Sequence, residues 1–164
     1  MKNLRFISFA MLLMLMGGLV TVSSCKKDDD DPATKTQTLS GKKFFIKSMP
    51  VDPPVDVLGN LVDDFITWMP DCSKDDFIIF NENGTFVNDE GATKCEPTDP
   101  QTENGTWVFL NNEKQIRLTV DGDAAQTMDI DELTNSKLKF SYSETNNYGD
   151  GDKLYRYTIV FETR

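Results

Sequence analysis

The sequence predicts an all-β domain: a small eight-stranded antiparallel meander barrel, with an open β-sandwich as the alternative. From residue 39 onward, short runs rich in Phe, Ile, Val, Thr and Tyr are separated by turn-forming Asn, Asp and Gly. In the later runs apolar and polar residues alternate, so each strand has one dry and one wet face. That is the pattern of antiparallel sheet packed on a core. Closing such a meander removes its exposed edges, which favours the barrel over the sandwich.

The first strand is expected over residues 43–49. Residues 50–70 read as irregular, with Pro53 and Pro54 near the start. Within them Leu61, Phe65 and Trp68 are spaced for one face of a short helix or lid. Runs at 76–80 and 85–88 flank Asn81-Glu82-Asn83-Gly84, a hairpin with Gly84 placed for positive φ. A loop carrying Cys95, Pro97 and Pro100 follows. Runs at 105–110 and 115–121 flank a second hairpin turn, Asn111 to Lys114. Asp121-Gly122-Asp123 leads into 125–133, and Asn135-Ser136 into 137–144. A polar tip over 146–152 precedes the last run, 153–163.

The alternation is plainest near the C-terminus. Ile116, Leu118 and Val120 oppose Gln115, Arg117 and Thr119. Leu138, Phe140 and Tyr142 oppose Lys137, Lys139 and Ser141. Tyr155, Tyr157, Ile159 and Phe161 oppose Arg156, Thr158 and Glu162.

The N-terminus has a different character. Lys2 and Arg5 precede an apolar run from Phe6 to Val22 that Gly17 and Gly18 interrupt. A transmembrane helix needs roughly 20 apolar residues, so the run suits a secretory signal better. It ends in Val22-Ser23-Ser24-Cys25, which resembles the lipobox of bacterial lipoproteins. The expectation is that residues 1–24 are removed and that Cys25 carries the lipid. Its thiolate is the nucleophile that takes a diacylglyceryl group, and the acyl chains then hold the protein at about 0.8 kcal/mol per buried CH₂. Residues 25–38 read as a polar tether and 39–164 as the folded domain. Lys26-Lys27 followed by Asp28 to Asp31 resembles the surface-export signal of Bacteroidetes lipoproteins. That weighs toward an outer-membrane protein facing outward over one on the periplasmic face.

Composition narrows the function classes. The net charge of −10 becomes −12 once Lys2 and Arg5 leave with the signal, because no acidic residue leaves with them. So acidic a domain is a poor partner for nucleic acid or anionic headgroups. The chain has no histidine, which rules out histidine triads and His-ligated zinc. After Cys25, Cys72 and Cys95 remain as an even pair in an exported protein, the usual sign of a disulfide. Their bridge closes a loop of about 24 residues, worth roughly 3–4 kcal/mol in the chain-entropy model. A catalytic or metal-binding pair is the alternative.

Several residues together carry a family resemblance. Cys72-Ser73-Lys74-Asp75-Asp76-Phe77 leads into Phe80-Asn81-Glu82-Asn83-Gly84-Thr85-Phe86. Glu90-Gly91-Ala92-Thr93-Lys94-Cys95 and Gly105-Thr106-Trp107 follow. This resembles the lipocalin-like domain lipoproteins of the Bacteroidetes over roughly residues 39–163. The resemblance implies a small eight-stranded barrel with a Cys72–Cys95 bridge, and no established activity. One departure stands out: where lipocalins carry Gly-x-Trp on the first strand, Gly41 is followed here by Lys42, Lys43 and Phe44. Phe44 or Phe45 is expected to fill the tryptophan's place.

A ligand in the barrel mouth needs inward apolar residues that are incompletely packed. The candidates are Phe45, Trp68, Phe86, Trp107, Phe140 and Tyr157; the competing reading is that they fill the core. Asp121-Gly122-Asp123 and Asp150-Gly151-Asp152 have the oxygens calcium wants but no EF-hand spacing, so solvated turns are expected and no metal. Asn83-Gly84-Thr85 and Asn104-Gly105-Thr106 match a glycosylation pattern, but in a bacterial chain they read as turns. The pairs Asp75/Asp76 and Asp129/Asp131 carry no sign of the raised pKa that glycoside hydrolysis demands. The expectation is therefore a non-enzymatic, membrane-tethered domain that binds a small apolar or amphipathic ligand, with no cofactor. The alternative is an interaction protein whose packed barrel contacts a protein or glycan.

Overall fold

The computed structural model describes residues 33–149 and 151–164. Cys25, the expected signal and the first part of the expected tether lie outside the described residues, as does Asp150. In chain order the elements are α1 (Lys35–Leu39), β1 (Lys43–Ser48), β2 (Pro50–Val57) and β3 (Asn60–Asp64). Two single turns of 3₁₀ helix follow, Phe65–Trp68 and Asp71–Ser73. Then come β4 (Phe77–Phe80), β5 (Thr85–Asp89), β6 (Thr102–Leu110), β7 (Gln115–Val120), β8 (Gln126–Leu133), β9 (Lys137–Asn147) and β10 (Asp152–Thr163).

Eight of these strands make a closed antiparallel barrel, in the order β1-β4-β5-β6-β7-β8-β9-β10. β1 closes it against β10, with Phe44 opposite Thr163 and Ile46 opposite Phe161. The sandwich alternative is thereby excluded. The predicted alternation sets the inner face: Ile116, Met128, Leu138 and Phe140 are all buried inside. Phe80 sits at the centre of the core. The rings of Phe44, Phe86, Trp107 and Phe140 surround it with centroids 6.0–6.5 Å away. Each such ring, fully buried, is worth roughly 1.5–3 kcal/mol relative to exposure. Phe44, fully buried, takes the inward position on the first strand. Phe45 points the other way and packs on Phe77.

The barrel is sealed at one end. Thr34 and Gln37 form a reciprocal capping box that starts α1, and Leu39 at the end of that turn is completely buried. The chain then reaches β1 through Gly41, whose N–H donates to the Phe80 carbonyl at 2.9 Å. Residues 35–38, read from sequence as polar tether, are thus part of the fold. Their signal was the Thr-x-x-Gln cap.

Residues 50–68 also differ from expectation. Leu61 belongs to strand β3 rather than to a helix, and it is 77% exposed. Trp68, at the end of a 3₁₀ turn, is 54% exposed. The period that wins is two, not 3.6. Val55 and Val62 face each other across β2 and β3 and are both buried. Leu58 and Gly59, at φ 54° and 81°, make the two-residue turn between the strands. This hairpin hangs on β10 through Val51 opposite Tyr157 and Asp52 opposite Arg156. Its inner face builds a second small core with Tyr155 and Tyr157.

Candidate functional site

At the end of the barrel away from α1, strands β4, β5 and β6 finish in acidic residues. The register explains why those residues face inward. Ile78 lies opposite Asn88, and Asn88 opposite Glu103, so the three form one row across the inner wall. One step further toward the open end, past the pair Phe77 and Asp89, come Asp76 and Glu90. These residues line a cavity of about 270 Å³. Its floor is apolar, made by Phe44, Ile46, Ile78 and Phe161. Its wall carries Asp76, Asn88, Glu90 and Glu103.

Asp76 is the most unusual group in the wall. Its Oδ1 is buried and has no hydrogen-bond partner. Burial, and then the charges of Glu90 and Asp75, hold its carboxyl above the ordinary range. Its neighbour Asp75 points to the other side of the chain and is fully partnered. It accepts from the Thr93 hydroxyl at 2.6 Å and from the Ala92 and Thr93 N–H groups at 2.7 and 3.0 Å. The Thr93 and Ala92 bonds hold Asp75 below the ordinary range. Two adjacent carboxylates are therefore pushed in opposite directions.

The same end is stapled covalently. Cys72 and Cys95 are joined by a disulfide, with Cα atoms 5.2 Å apart. The bridge ties the 3₁₀ turn before Asp75 to the loop over residues 90–101, and the Asp75 bonds do the same three residues on. Together they fix the backbone on both sides of Asp76 and Glu90.

Of the six aromatic residues singled out from sequence, none lines this cavity. Phe86, Trp107 and Phe140 are buried around Phe80 near the sealed end. Trp107 also donates its indole N–H to the Asn81 and Thr85 carbonyls. Phe45 lies on the outer face, with the Arg164 guanidinium 4.3 Å above its ring. Trp68 stands on the 3₁₀ turn at the surface. Tyr157 belongs to the second core. There it stacks on Tyr142 at 5.1 Å and on Phe65 at 6.4 Å. Its hydroxyl is 2.9 Å from that of Tyr148, and this bond is the main reason the Tyr148 hydroxyl is pushed up to about 12. The structure thus brings together Phe86, Trp107 and Phe140 and leaves the other three apart.

The signal that finds the wall is the strand period carried one step past the last apolar residue. Phe80 and Ile78 lead to Asp76, Phe86 and Asn88 to Glu90, and Trp107 and Gly105 to Glu103. Three of the remaining candidates have structural partners. Asn83 caps its own turn, accepting from the Thr85 N–H and hydroxyl. Asp129 accepts from Gln115, and Asp131 pairs with Arg156 on the outside of the barrel.

A model of the lipocalin-like domain matches residues 56–140, from the outer hairpin to the middle of β9. No curated protein matches the chain. The matched segment covers more than half of the sequence and holds Cys72, Cys95 and the three acidic strand ends, and with the closed eight-stranded barrel it makes this chain a member of the lipocalin-like domain family.

Proposed function

We propose that this protein is an exported lipoprotein whose barrel binds a small amphipathic ligand without transforming it. In this reading residues 1–24 direct export and are removed, and Cys25 carries the lipid that holds the domain at the outer membrane. The charged run over residues 26–31 then spaces the domain from the membrane and favours the outward-facing side.

The observation that carries the binding reading is the cavity of about 270 Å³ at the open end. A barrel of eight strands is just wide enough either to fill itself or to hold one small ligand. Here the sealed half is filled and the open half is not. Ligand pockets usually run from roughly 300 to 1,000 Å³, so the ligand belongs at the small end of that range.

Native mass spectrometry of the domain purified from its own host's extract tests this. A co-purifying small mass supports it. A clean apo mass from a preparation that also fails to bind any member of a small-amphiphile panel overturns it. For the anchor, Cys25→Ala is expected to release the protein from the membrane fraction; continued retention contradicts the lipid.

A second reading, an interaction protein at the cell surface, is favoured by the tip of the outer hairpin. Leu58 is 97% exposed there, in a left-handed conformation that a leucine adopts only under constraint, and Leu61 beside it is also exposed. A protein partner retained through purification, with no small mass, is its expected result.

A further inference from the structure

The binding reading leaves the class of ligand open, and the cavity wall narrows it. Asp76, Glu90 and Glu103 stand at the ends of three neighbouring strands and face the same space. No lysine or arginine is among the described residues lining that space. The nearby cations Lys43 and Arg164 are used elsewhere: Lys43 Nζ lies 3.9 Å above the Phe77 ring, and Arg164 stands over Phe45, which points out of the barrel. Opposite the acids, the floor of Phe44, Ile46, Ile78 and Phe161 has no polar side-chain atom to offer.

Three classes of occupant fit poorly. A fatty acid or other anion brings a like charge against the carboxylates, an unfavourable contact that grows as the site loses water. A neutral apolar molecule drives water from Asp76 and Glu90 and gives nothing back. A bare metal ion finds no closed set of ligands, since among the described residues no three Asp, Glu or Cys groups are placed to hold one. An organic ammonium with a compact hydrocarbon body suits both halves. Its N–H donors meet the carboxylates and the Asn88 side-chain oxygen, and its body fills the apolar floor.

Resting on the binding reading above, we propose that the ligand is a small monocation, an amine on an apolar body, with its charge facing the acidic wall of Asp76, Glu90 and Glu103 and its body on Phe44, Ile46 and Phe161. Like charges at the rim with no lysine or arginine among the described lining residues are then the empty state of a cation site. The disulfide and the Asp75 clamp keep them in place when the site is empty.

The test uses three probes with one hydrocarbon body: phenethylamine, 2-phenylethanol and 3-phenylpropionate. Each is titrated calorimetrically into the purified protein. Phenethylamine is expected to bind at least roughly tenfold more tightly than the alcohol, and the propionate least of all. Raising salt from about 0.1 to 1 M is expected to weaken the amine and to leave the alcohol unchanged. Glu103→Gln, an exposed position on a strand that does not depend on it for packing, is expected to lower amine affinity several-fold with the alcohol unmoved. Asp76→Asn is expected to do the same. Equal or tighter binding of the alcohol or the propionate overturns the cation assignment while leaving the cavity a binding site. Failure of all three probes also overturns it, and the co-purified mass then decides the binding reading independently. Because the comparison runs on the unmodified protein, a variant that fails to fold does not blunt it.

Discussion

Trp107 ties the sealed end of the barrel together by donating one indole N–H to two carbonyls, those of Asn81 at 3.1 Å and Thr85 at 3.0 Å. Its ring meets Phe80 edge-on at 6.0 Å, and its backbone N–H donates to the Gly84 carbonyl at 2.8 Å. One side chain therefore fixes the β4–β5 turn and packs on the central ring. Trp107→Phe keeps the aromatic contact and removes the indole donor from two carbonyls that each keep one backbone N–H, from Gly84 to Asn81 and from Asn81 to Thr85; it is expected to cost about 1 kcal/mol in urea unfolding. Trp107→Ala adds a cavity beside Phe80 and is expected to cost about 3–5 kcal/mol. An equal loss in the two variants would mean that the hydrogen bonds, and not the ring, carry the stability.

Gly105 is required by space. A Cβ there would lie 2.4 Å from Cζ of Phe86 and 2.5 Å from the Thr119 carbonyl oxygen. The second of these is backbone in the neighbouring strand and has nowhere to go. Gly105→Ala is expected to destabilise by at least about 1–3 kcal/mol, the usual cost of overpacking. Pairing it with Phe86→Leu should recover part of that loss, because the Phe86 ring is the other obstacle. If the double variant is no more stable than the single one, the strand backbone is the whole of the problem.

Much of this architecture was legible in the sequence, and the exceptions have physical reasons. The strands from residue 115 onward could be read because each has one face on the core, which imposes a period of two on Ile116, Leu138, Phe140 and Phe161. The outer hairpin could not. Pro50, Pro53 and Pro54 break the donor pattern of a strand, yet β2 meets β10 at Val51 and Asp52 and leaves its register with β3 open between Pro50 and Val55. A strand that forgoes ladder bonds there can carry proline. Its apolar residues pack on Tyr155 and Tyr157, about a hundred residues along the chain, a contact with no local signal. The cavity was missed for a different reason. Aromatic residues were the natural candidates for a ligand, but aromatic rings close-pack and fill the sealed half. What lines the open half are the charged residues at the strand ends, which in sequence look like solvated turn residues.

The disulfide acts on the rim of the cavity more than on the barrel. It closes a loop across a sequence separation of 23 residues, for which the chain-entropy model gives roughly 3–4 kcal/mol. Replacing both cysteines, Cys72→Ser with Cys95→Ser, is expected to lower stability by up to that amount. The β6–β10 sheet should keep its amide protection, and faster hydrogen exchange should be confined to residues 90–101 and the turn around Cys72. Loss of protection throughout the barrel would show that the bridge is needed for closure itself.

Asp75 and Asp76 give a pH dependence with opposite signs at adjacent positions. The Asp75 carboxylate is held below the ordinary range by its Thr93 and Ala92 bonds. Its contribution is present above the unfolded-state pKa and is lost as pH falls through the lower, folded value. Asp76 is held above the ordinary range by burial and by Glu90 and Asp75. Its charged form weakens the fold, so this penalty is full above its folded value and disappears as pH falls below the unfolded one. Asp76→Asn is therefore expected to raise the melting temperature near neutral pH by a few degrees. The gain should shrink toward nothing below about pH 3, where the unfolded-state carboxyl, with a pKa of about 3.9, is largely protonated as well. Asp75→Asn is expected to lower the melting temperature near neutral pH, and that difference too should fade in acid. Thermal unfolding of the two variants against the parent across this range checks both signs. A gain from Asp76→Asn that persists in acid would assign the effect to packing and not to charge. A neutral-pH loss from Asp76→Asn would mean that its carboxylate already has a favourable partner, and would remove the reason to seek a cation for it.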